Sequence, residues 1–165
     1  MKPAPFTYHA PTTLDQALAL LASEPDARVL AGGQSLVPRM RLRVEKPATI
    51  IDINRVVGLD GISVEAGAVT VGALVRQQTL VTHDGVAAVH PLLREAGSYA
   101  GFHTTRHRGT VGGSIAFAAP WAELSATTTL LGATITVRSA TAQRELAARD
   151  FFLGPNQTAL AADEL

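Results

Sequence analysis

The sequence predicts an α+β fold in two lobes, a small α/β lobe over residues 1–56 and a larger mixed-sheet lobe over residues 57–165. The first lobe is indicated by one helical apolar pattern and two short apolar strands. The second begins near Gly61, where apolar and polar residues start to alternate with the period of a strand. Of the 165 residues, 47% are hydrophobic and 17% charged, enough apolar material for a buried core.

The first lobe opens with a predicted amphipathic helix. Thr13 and Gln16 have the spacing of a capping box. Apolar residues then recur at helical intervals until Pro25, and they are Leu14, Ala17, Leu18 and Leu21.

Two strands of this lobe surround a glycine pair. The apolar run Arg28–Ala31 is a predicted strand that ends at the first glycine segment, defined here as Ala31–Ser35. Leu36–Arg43 is expected to make a helical turn or two, and Thr49–Ile53 a second strand. The first glycine segment then lies at the carboxyl end of a strand, where α/β proteins commonly bind ligands.

The second lobe is expected to begin with an antiparallel hairpin and to continue with helices and one more strand. The composition of residues 154–165 allows two alternatives equally: a chain that is cut where its next element begins, or a frayed tail. The predicted elements are strands Ile62–Glu65 and Val69–Gly72, helices Leu74–Thr82, Pro91–Ala96 and Ala122–Leu131, and strand Ala133–Val137.

Composition excludes several kinds of function. Fourteen basic residues balance fourteen acidic ones, so the chain has no broad positive charge for nucleic acid or anionic membranes. It has no cysteine, which excludes disulfides, thiolate nucleophiles and iron–sulfur ligation by this chain. No stretch approaches the roughly 20 apolar residues of a membrane span, and no signal peptide begins the chain. We therefore expect a cytoplasmic protein without membrane insertion.

The first glycine segment has the residues of an anion-binding loop. Consecutive Gly32 and Gly33 allow the backbone to turn sharply and approach a ligand, while Gln34 and Ser35 add side-chain donors. Such a loop can present several N–H groups to a diphosphate. The alternative is an ordinary strand-to-helix turn, because a single Gly-Gly pair has low specificity.

A second glycine segment, Thr110–Ser114, repeats this chemistry. Hydroxyls at both of its ends flank Gly112 and Gly113, and Arg106 and Arg108 lie just upstream. If both segments face one cleft, they can hold one diphosphate from two sides beside a positively charged rim. Neither segment matches the Rossmann fingerprint or the P-loop.

Other candidate residues give weaker signals. His103 and His107 have the i, i+4 spacing of a metal pair, but neighbouring arginines oppose a cation, so exposed loop histidines and no metal site are predicted. Glu123 suits a ribose hydroxyl, or alternatively the start of a helix. Phe117 and Trp121 are taken as packing residues. No triad or carboxylate pair is recognisable, so no catalytic side chain is predicted.

Several motifs in order resemble the FAD-binding medium subunit of molybdenum hydroxylases of the aerobic carbon monoxide dehydrogenase and xanthine dehydrogenase type. The similarity runs from about Phe6 to the last residue. It is carried by Leu30-Ala31-Gly32-Gly33-Gln34-Ser35-Leu36, Ile51-Asp52-Ile53-Asn54, Val71-Gly72-Ala73 and Arg106-His107-Arg108-Gly109-Thr110-Val111-Gly112-Gly113-Ser114-Ile115-Ala116.

The resemblance implies a two-lobed FAD-binding domain of the vanillyl-alcohol-oxidase-like (PCMH) type, with FAD extended between the lobes. It further implies a molybdopterin-binding large subunit, a small subunit with [2Fe–2S] clusters, and electron transfer from those clusters through FAD to an external acceptor. The implied cofactor-binding residues are Val29, Leu30, Ala31, Gly32, Gly33, Gln34, Ser35, Leu36, Thr110, Val111, Gly112, Gly113, Ser114 and Glu123.

The chain departs from the family pattern at three points. Ala116–Pro120 replaces an Ala-His-Ala-Asp-Pro run, which removes a histidine and a carboxylate, and His107 stands where asparagine is common. The family's C-terminal domain, which helps cover the flavin ring, is expected to be absent. Two alternatives follow, a degenerate or truncated module for binding or assembly and a stand-alone flavin oxidase.

Overall fold

The computed structural model describes residues 1–165 and has a mixed α/β architecture, as predicted. The helices are α1 (Leu14–Ser23), α2 (Leu36–Arg41), α3 (Gln77–Thr82), α4 (Asp84–Val89), α5 (Pro91–Tyr99), α6 (His103–Arg106), α7 (Val111–Phe117), α8 (Glu123–Leu130) and α9 (Ala148–Phe151). The strands are β1 (Thr7–His9), β2 (Ala27–Leu30), β3 (Thr49–Asp52), β4 (Ile62–Glu65), β5 (Ala68–Val71), β6 (Thr134–Arg138), β7 (Gln143–Ala147), β8 (Phe152–Gly154) and β9 (Gln157–Thr158). No helix combines the length and apolar character needed to cross a bilayer.

The first third of the chain forms a three-stranded parallel sheet in the order β1-β3-β2. Ile50 and Ile51 of the central strand are buried, and Ile51 belongs to a first core cluster with Leu18 and Leu21 of α1. Strand β1 was not predicted. Its Thr7 and Tyr8 are exposed at the sheet edge, so the sequence shows no apolar alternation there.

The predicted capping box at α1 is confirmed. The Thr13 hydroxyl accepts a hydrogen bond from the Gln16 amide at 3.3 Å, and the Gln16 side chain accepts one from the Thr13 amide at 3.3 Å. Both bonds satisfy backbone donors that the first helical turn leaves free.

Thr13→Ala is expected to lower the free energy of unfolding by about 1 kcal/mol, because the Gln16 amide loses its acceptor. Urea unfolding of the two proteins measures the difference. Thr7→Ala, at an exposed edge position, is the control and is expected to change the free energy by less than about 0.5 kcal/mol. Equal losses in the two variants would contradict the assigned role of the cap.

The rest of the chain contains three antiparallel hairpins, β4–β5, β6–β7 and β8–β9. The prediction of a mixed sheet here is therefore wrong. Helices α3, α4, α5, α7, α8 and α9 supply apolar side chains to a second core cluster together with β6. Phe151, Leu80 and Leu124 are among its fully buried side chains.

Two predicted boundaries need correction. The helix expected over Leu74–Thr82 begins only at Gln77, because Arg76 forms an isolated antiparallel bridge with Thr110 and keeps the backbone extended. The Gln77 amide also donates to the Gly109 carbonyl at 2.9 Å. Helix α4 and strands β7, β8 and β9 were not predicted.

The end of the chain is ordered, so of the two alternatives for residues 154–165 the frayed tail is wrong. The backbone of Leu165 exchanges two hydrogen bonds with Arg138 of β6, at 2.8 and 2.9 Å. The Leu165 side chain packs on the first core cluster. Glu164 accepts two hydrogen bonds from Arg144 of β7, both at 2.7 Å. The tail thus joins the second half of the molecule to the first.

Hydrogen bonds from Arg144 hold the pKa of the Glu164 carboxyl below its ordinary value, against an opposing effect of burial. The pair therefore stabilises the fold above the carboxyl's unfolded pKa, and this contribution is lost as pH falls through the lower folded pKa.

Glu164→Gln is expected to lower the free energy of unfolding by about 1 kcal/mol at neutral pH. The difference from the parent protein should shrink below about pH 4. Urea unfolding of both proteins at neutral pH and below about pH 4 measures this difference. Glu65→Gln, at an exposed position, is the control. A difference that stays constant with pH would contradict the assignment.

Candidate functional site

A cleft of about 670 Å³ brings both glycine segments together. Its walls also include residues of α1, β2 and β6, and the tail from Leu160 to Leu165. Its volume lies within the range of pockets that bind cofactors and other small molecules. The cleft therefore collects elements that are far apart in sequence around one space of ligand size.

The two glycine segments approach each other at the backbone. A Cβ atom on Gly32 would lie 2.4 Å from the Arg108 carbonyl oxygen and 2.7 Å from the Gly109 Cα. Both contacts are shorter than van der Waals separation and involve backbone that no side-chain rotation can move. Gly32 is thus required by the junction of the two segments.

The first glycine segment carries free donors. None of the backbone amides of Gly32, Gly33, Gln34 and Ser35 donates a hydrogen bond within the protein. Gly33 has a φ of +72°, in the left-handed region that favours glycine. Unpaired amides grouped on a turn can bind an anion, and the anion-binding role of this segment stays a prediction.

The second glycine segment differs from its prediction as a loop, because it is the first turn of α7. Thr110 is the N-cap, and its hydroxyl accepts a hydrogen bond from the Gly113 amide at 3.1 Å. The Gly112 amide donates to Ala73 O at 2.9 Å and the Ser114 amide to Thr110 O at 3.1 Å. These amides are engaged within the protein, so this segment offers chiefly the Ser114 hydroxyl, which has no internal partner.

Most of the predicted cofactor-binding residues line the cleft. Leu30 and Val111 do not, and Val111 packs instead against the second core cluster. The predicted residues on the cleft wall are Val29, Ala31, Gly32, Gly33, Gln34, Ser35, Leu36, Thr110, Gly112, Gly113, Ser114 and Glu123.

Glu123, Phe117 and Trp121 also face the cleft. Glu123 is the first residue of α8, and its carboxylate has no hydrogen bond or ion pair within the protein. Arg39 lies over the Phe117 ring, 5.8 Å from its centre, at cation–π distance. Trp121 is 75% exposed, so the prediction of a packing role does not hold for it.

The basic stretch before the second segment is a short helix, α6, rather than the predicted loop. The Arg106 guanidinium donates to the carbonyls of Ser98 and Gly101 at 2.9 and 3.0 Å, so it is used inside the protein and is not a free cation at the rim. His103 and His107 are exposed as predicted, with their Nε2 atoms 3.2 Å apart. No group of three or more potential metal ligands occurs in the chain.

A polar network behind the first glycine segment was not predicted as part of the site. It runs through Tyr8, Asp52, Asn54 and Arg76. Burial acts to raise the pKa of the Asp52 carboxyl, but hydrogen bonds from Tyr8 and Asn54 outweigh it, and the pKa lies below its ordinary value. Asp52 and Asn54 lie in Ile51-Asp52-Ile53-Asn54, one of the motifs that carry the family resemblance, whereas no motif includes Arg76.

Comparison with known proteins identifies the family. Residues 4–165 match the family described as FAD binding domain in molybdopterin dehydrogenase. The chain belongs to this family. The resemblance seen in the sequence and the predicted cofactor class are thereby confirmed.

Among relatives of this FAD-binding domain, the glyceraldehyde dehydrogenase medium chain of Sulfolobus acidocaldarius is 38% identical over the whole chain, which covers 59% of that protein. The carbon monoxide dehydrogenase medium chain of Hydrogenophaga pseudoflava is 39% identical, again over the whole chain and 58% of the relative. The structure of quinoline 2-oxidoreductase from Pseudomonas putida 86 superposes with a TM-score of 0.97 at 38% identity, over 100% of this chain and 58% of that one. The FAD-binding domain thus spans about three-fifths of the length of these relatives.

Proposed function

We propose that this chain binds FAD in the cleft and serves as the flavin module of a molybdopterin-dependent dehydrogenase. The observation that carries the proposal is the group of free backbone amides on four residues that line the cleft, Gly32, Gly33, Gln34 and Ser35. Membership in an FAD-binding family indicates which ligand these donors would bind, because FAD contains a diphosphate that accepts hydrogen bonds from such amides.

The residues present fit this cofactor. The first glycine segment would hold the diphosphate through its amides, and the Ser35 and Ser114 hydroxyls, both without an internal partner, would add donors. The free carboxylate of Glu123 would accept hydrogen bonds from ribose hydroxyls. Val29, Leu30, Leu36 and Val111 would act through packing, since they bring no polar side chain. When bound, FAD supplies the redox chemistry, and the protein supplies position and electrostatics.

The two core clusters support a division into two lobes of the PCMH type, residues 1–56 and 57–165. The first cluster draws mainly on α1, β2 and the region of β3, and the second on the elements from Val75 to Phe151. The cleft takes lining residues from both. FAD would therefore lie between the lobes and connect them.

The proposed partners are a molybdopterin-binding large subunit and a small subunit with [2Fe–2S] clusters. Relatives of this chain are medium chains of dehydrogenases, which indicates a multisubunit enzyme. The lack of cysteine supports this division, since the clusters would need ligands from another chain. The assembled oxidoreductase would pass electrons from the clusters through FAD to an external acceptor, in the cytoplasm.

Titration of the purified chain with FAD tests the binding function. A bound cofactor at about 100 times its Kd is expected to add about 2.7 kcal/mol to the free energy of unfolding, seen as a rise in Tm. ADP-ribose should compete, because it carries the same diphosphate, whereas riboflavin should not.

Absence of a thermal shift and of bound flavin absorbance would reject the proposal and favour a binding or assembly module. Turnover with oxygen by the isolated chain would favour a stand-alone oxidase. Electron transfer that requires the two partner subunits would support the dehydrogenase.

A further inference from the structure

Behind the first glycine segment, hydrogen bonds connect the end of β3 to the two backbone turns that flank the cleft. Tyr8 donates to Asp52 Oδ2 at 2.6 Å, and Asp52 Oδ1 accepts from the Asn54 amide at 2.9 Å and from Asn54 Nδ2 at 2.6 Å. Asn54 and Arg76, 22 residues apart in sequence, then meet at 2.8 Å. We refer to Asn54 and Arg76 as the latch.

Every polar atom of the Asn54 side chain has a partner. Its Nδ2 donates to Ala31 O at 2.7 Å, and its Oδ1 accepts from Arg76 Nη2 at 2.8 Å. Asp52 fixes the same Nδ2 from the other side, so the amide has one orientation that satisfies all three neighbours. Ala31 O belongs to the peptide bond that enters Gly32, and Asn54 therefore holds the first glycine segment at its start.

Arg76 holds the approach to the second glycine segment. Its Nη1 donates to Arg108 O at 2.6 Å, while Nη2 donates to Asn54 Oδ1. Arg108 O is also the atom closest to a Cβ built on Gly32, at 2.4 Å. One planar guanidinium thus connects the carbonyl that touches Gly32 with the amide that holds Ala31.

The latch lies outside the cleft. Neither Asn54 nor Arg76 lines it, and both instead line a separate space of about 200 Å³. A ligand in the cleft would touch the glycine segments but not these side chains. Any effect of the latch on such a ligand must therefore pass through the position of Ala31 O and Arg108 O.

We propose that Asn54 and Arg76 are positioning residues that fix the distance between the two glycine segments and thereby set the affinity of the cleft for a diphosphate. The inference rests on the proposed binding of FAD and deepens it. The free amides of the first glycine segment can share one anion only when their spacing is held, and hydrogen bonds to a charged guanidinium are stronger than neutral ones.

Asn54→Ala and Arg76→Ala are each expected to raise the Kd for FAD about 10-fold, the equivalent of one charge-assisted hydrogen bond. The double variant should lose little more than either single variant, because each change breaks the same connection. The Kd for ADP-ribose should rise by the same factor, since the diphosphate is the shared part. Fluorescence titration measures all of these constants.

Arg138→Ala is the matched control. Arg138 also joins the two parts of the chain, by an ion pair with Asp15 at 3.0 Å, and its side chain lies away from the cleft lining. Its change in Tm measures what the loss of such a connection costs in stability, and the Kd for FAD should stay unchanged. Methylguanidinium at millimolar concentration should restore FAD affinity to Arg76→Ala and not alter the control.

Arg76→Lys provides a milder change if an alanine variant fails to fold. One ammonium does not reproduce the planar fork between Asn54 and Arg108 O, so several-fold weaker FAD binding with a near-parental Tm is expected.

The positioning role of the latch would be overturned if a folded Arg76→Lys variant, or both alanine variants, bound FAD with the affinity of the parent protein. A loss of affinity in Arg138→Ala equal to that in Arg76→Ala would overturn it as well, since stability alone would then explain the effect. Failure of the parent chain to bind FAD is a different result, because it rejects the proposed function and the inference together.

Discussion

Gly32→Ala is expected to weaken FAD binding about 100-fold, the equivalent of about 3 kcal/mol or roughly two hydrogen bonds to a charged group. The added Cβ would meet Arg108 O at 2.4 Å, Gly109 Cα at 2.7 Å and Thr110 N at 3.0 Å. All three are backbone atoms, so the two glycine segments must separate to admit it. The free amides of the first segment would then be displaced from the second segment.

The same substitution is expected to lower the free energy of unfolding of the cofactor-free chain by about 2 kcal/mol, a typical cost of overpacking. Titration with FAD and urea unfolding measure the two effects separately. Gly61→Ala is the matched control, because a Cβ there has no atom within 4 Å and the backbone is not left-handed. Parental FAD affinity in Gly32→Ala would contradict the close junction of the segments.

Phe151→Ala is expected to lower the free energy of unfolding by about 3–5 kcal/mol, the usual range for a buried phenylalanine. The Phe151 side chain is 1% exposed in the second core cluster, and its ring packs edge-to-face on Phe152 with centres 5.3 Å apart. Since domains of this size have only about 5–15 kcal/mol of stability, the loss would be a large fraction of the total.

Urea unfolding measures this loss, and Phe102→Ala provides the comparison. Phe102 is 83% exposed, and its removal should cost less than about 0.5 kcal/mol. Phe151 also lines the cleft. Saturating FAD should therefore raise the free energy of unfolding of Phe151→Ala only if the cleft of this variant keeps its shape. A loss below about 1 kcal/mol for Phe151→Ala would show that the second core cluster rearranges freely.

Local patterns account for the elements that the sequence predicts correctly. The capping box at Thr13 and Gln16 and the apolar spacing after it determine α1, and alternation determines β4 and β5. Strands β8 and β9 have three and two residues, too few for any periodicity, and they form through tertiary contact.

The second glycine segment shows why a local rule fails. Two glycines disfavour a helix by about 1 kcal/mol each relative to alanine, so the sequence predicts a loop. The structure places Gly112 in α7 because its amide bonds Ala73 O and a Cβ would lie 2.6 Å from the Ala73 Cβ. Close packing requires glycine at this position, and a partner 39 residues earlier in the chain cannot be read from a local pattern.

The free donors of the candidate site were predictable because their chemistry is encoded within a short segment. Gly32 to Ser35 combine the flexibility and the donors of an anion site, and their amides are indeed free. The Asn54–Arg76 pair has no such segment, since its two side chains meet only after β3 and the start of α3 are in place.

The order of strands in the parallel sheet has a consequence for how the molecule folds. The central strand, β3, is the last of the three in the chain, and both β1 and β2 pair only with it. During synthesis, the first 48 residues therefore hold two strands that have no partner, and no part of this sheet can form before β3 emerges. Closing a loop of about 40 residues between β1 and β3 costs entropy that is repaid only when the apolar residues of β3 become buried. The parallel sheet is accordingly expected to form in a single step, once β3 is available to both of its partners.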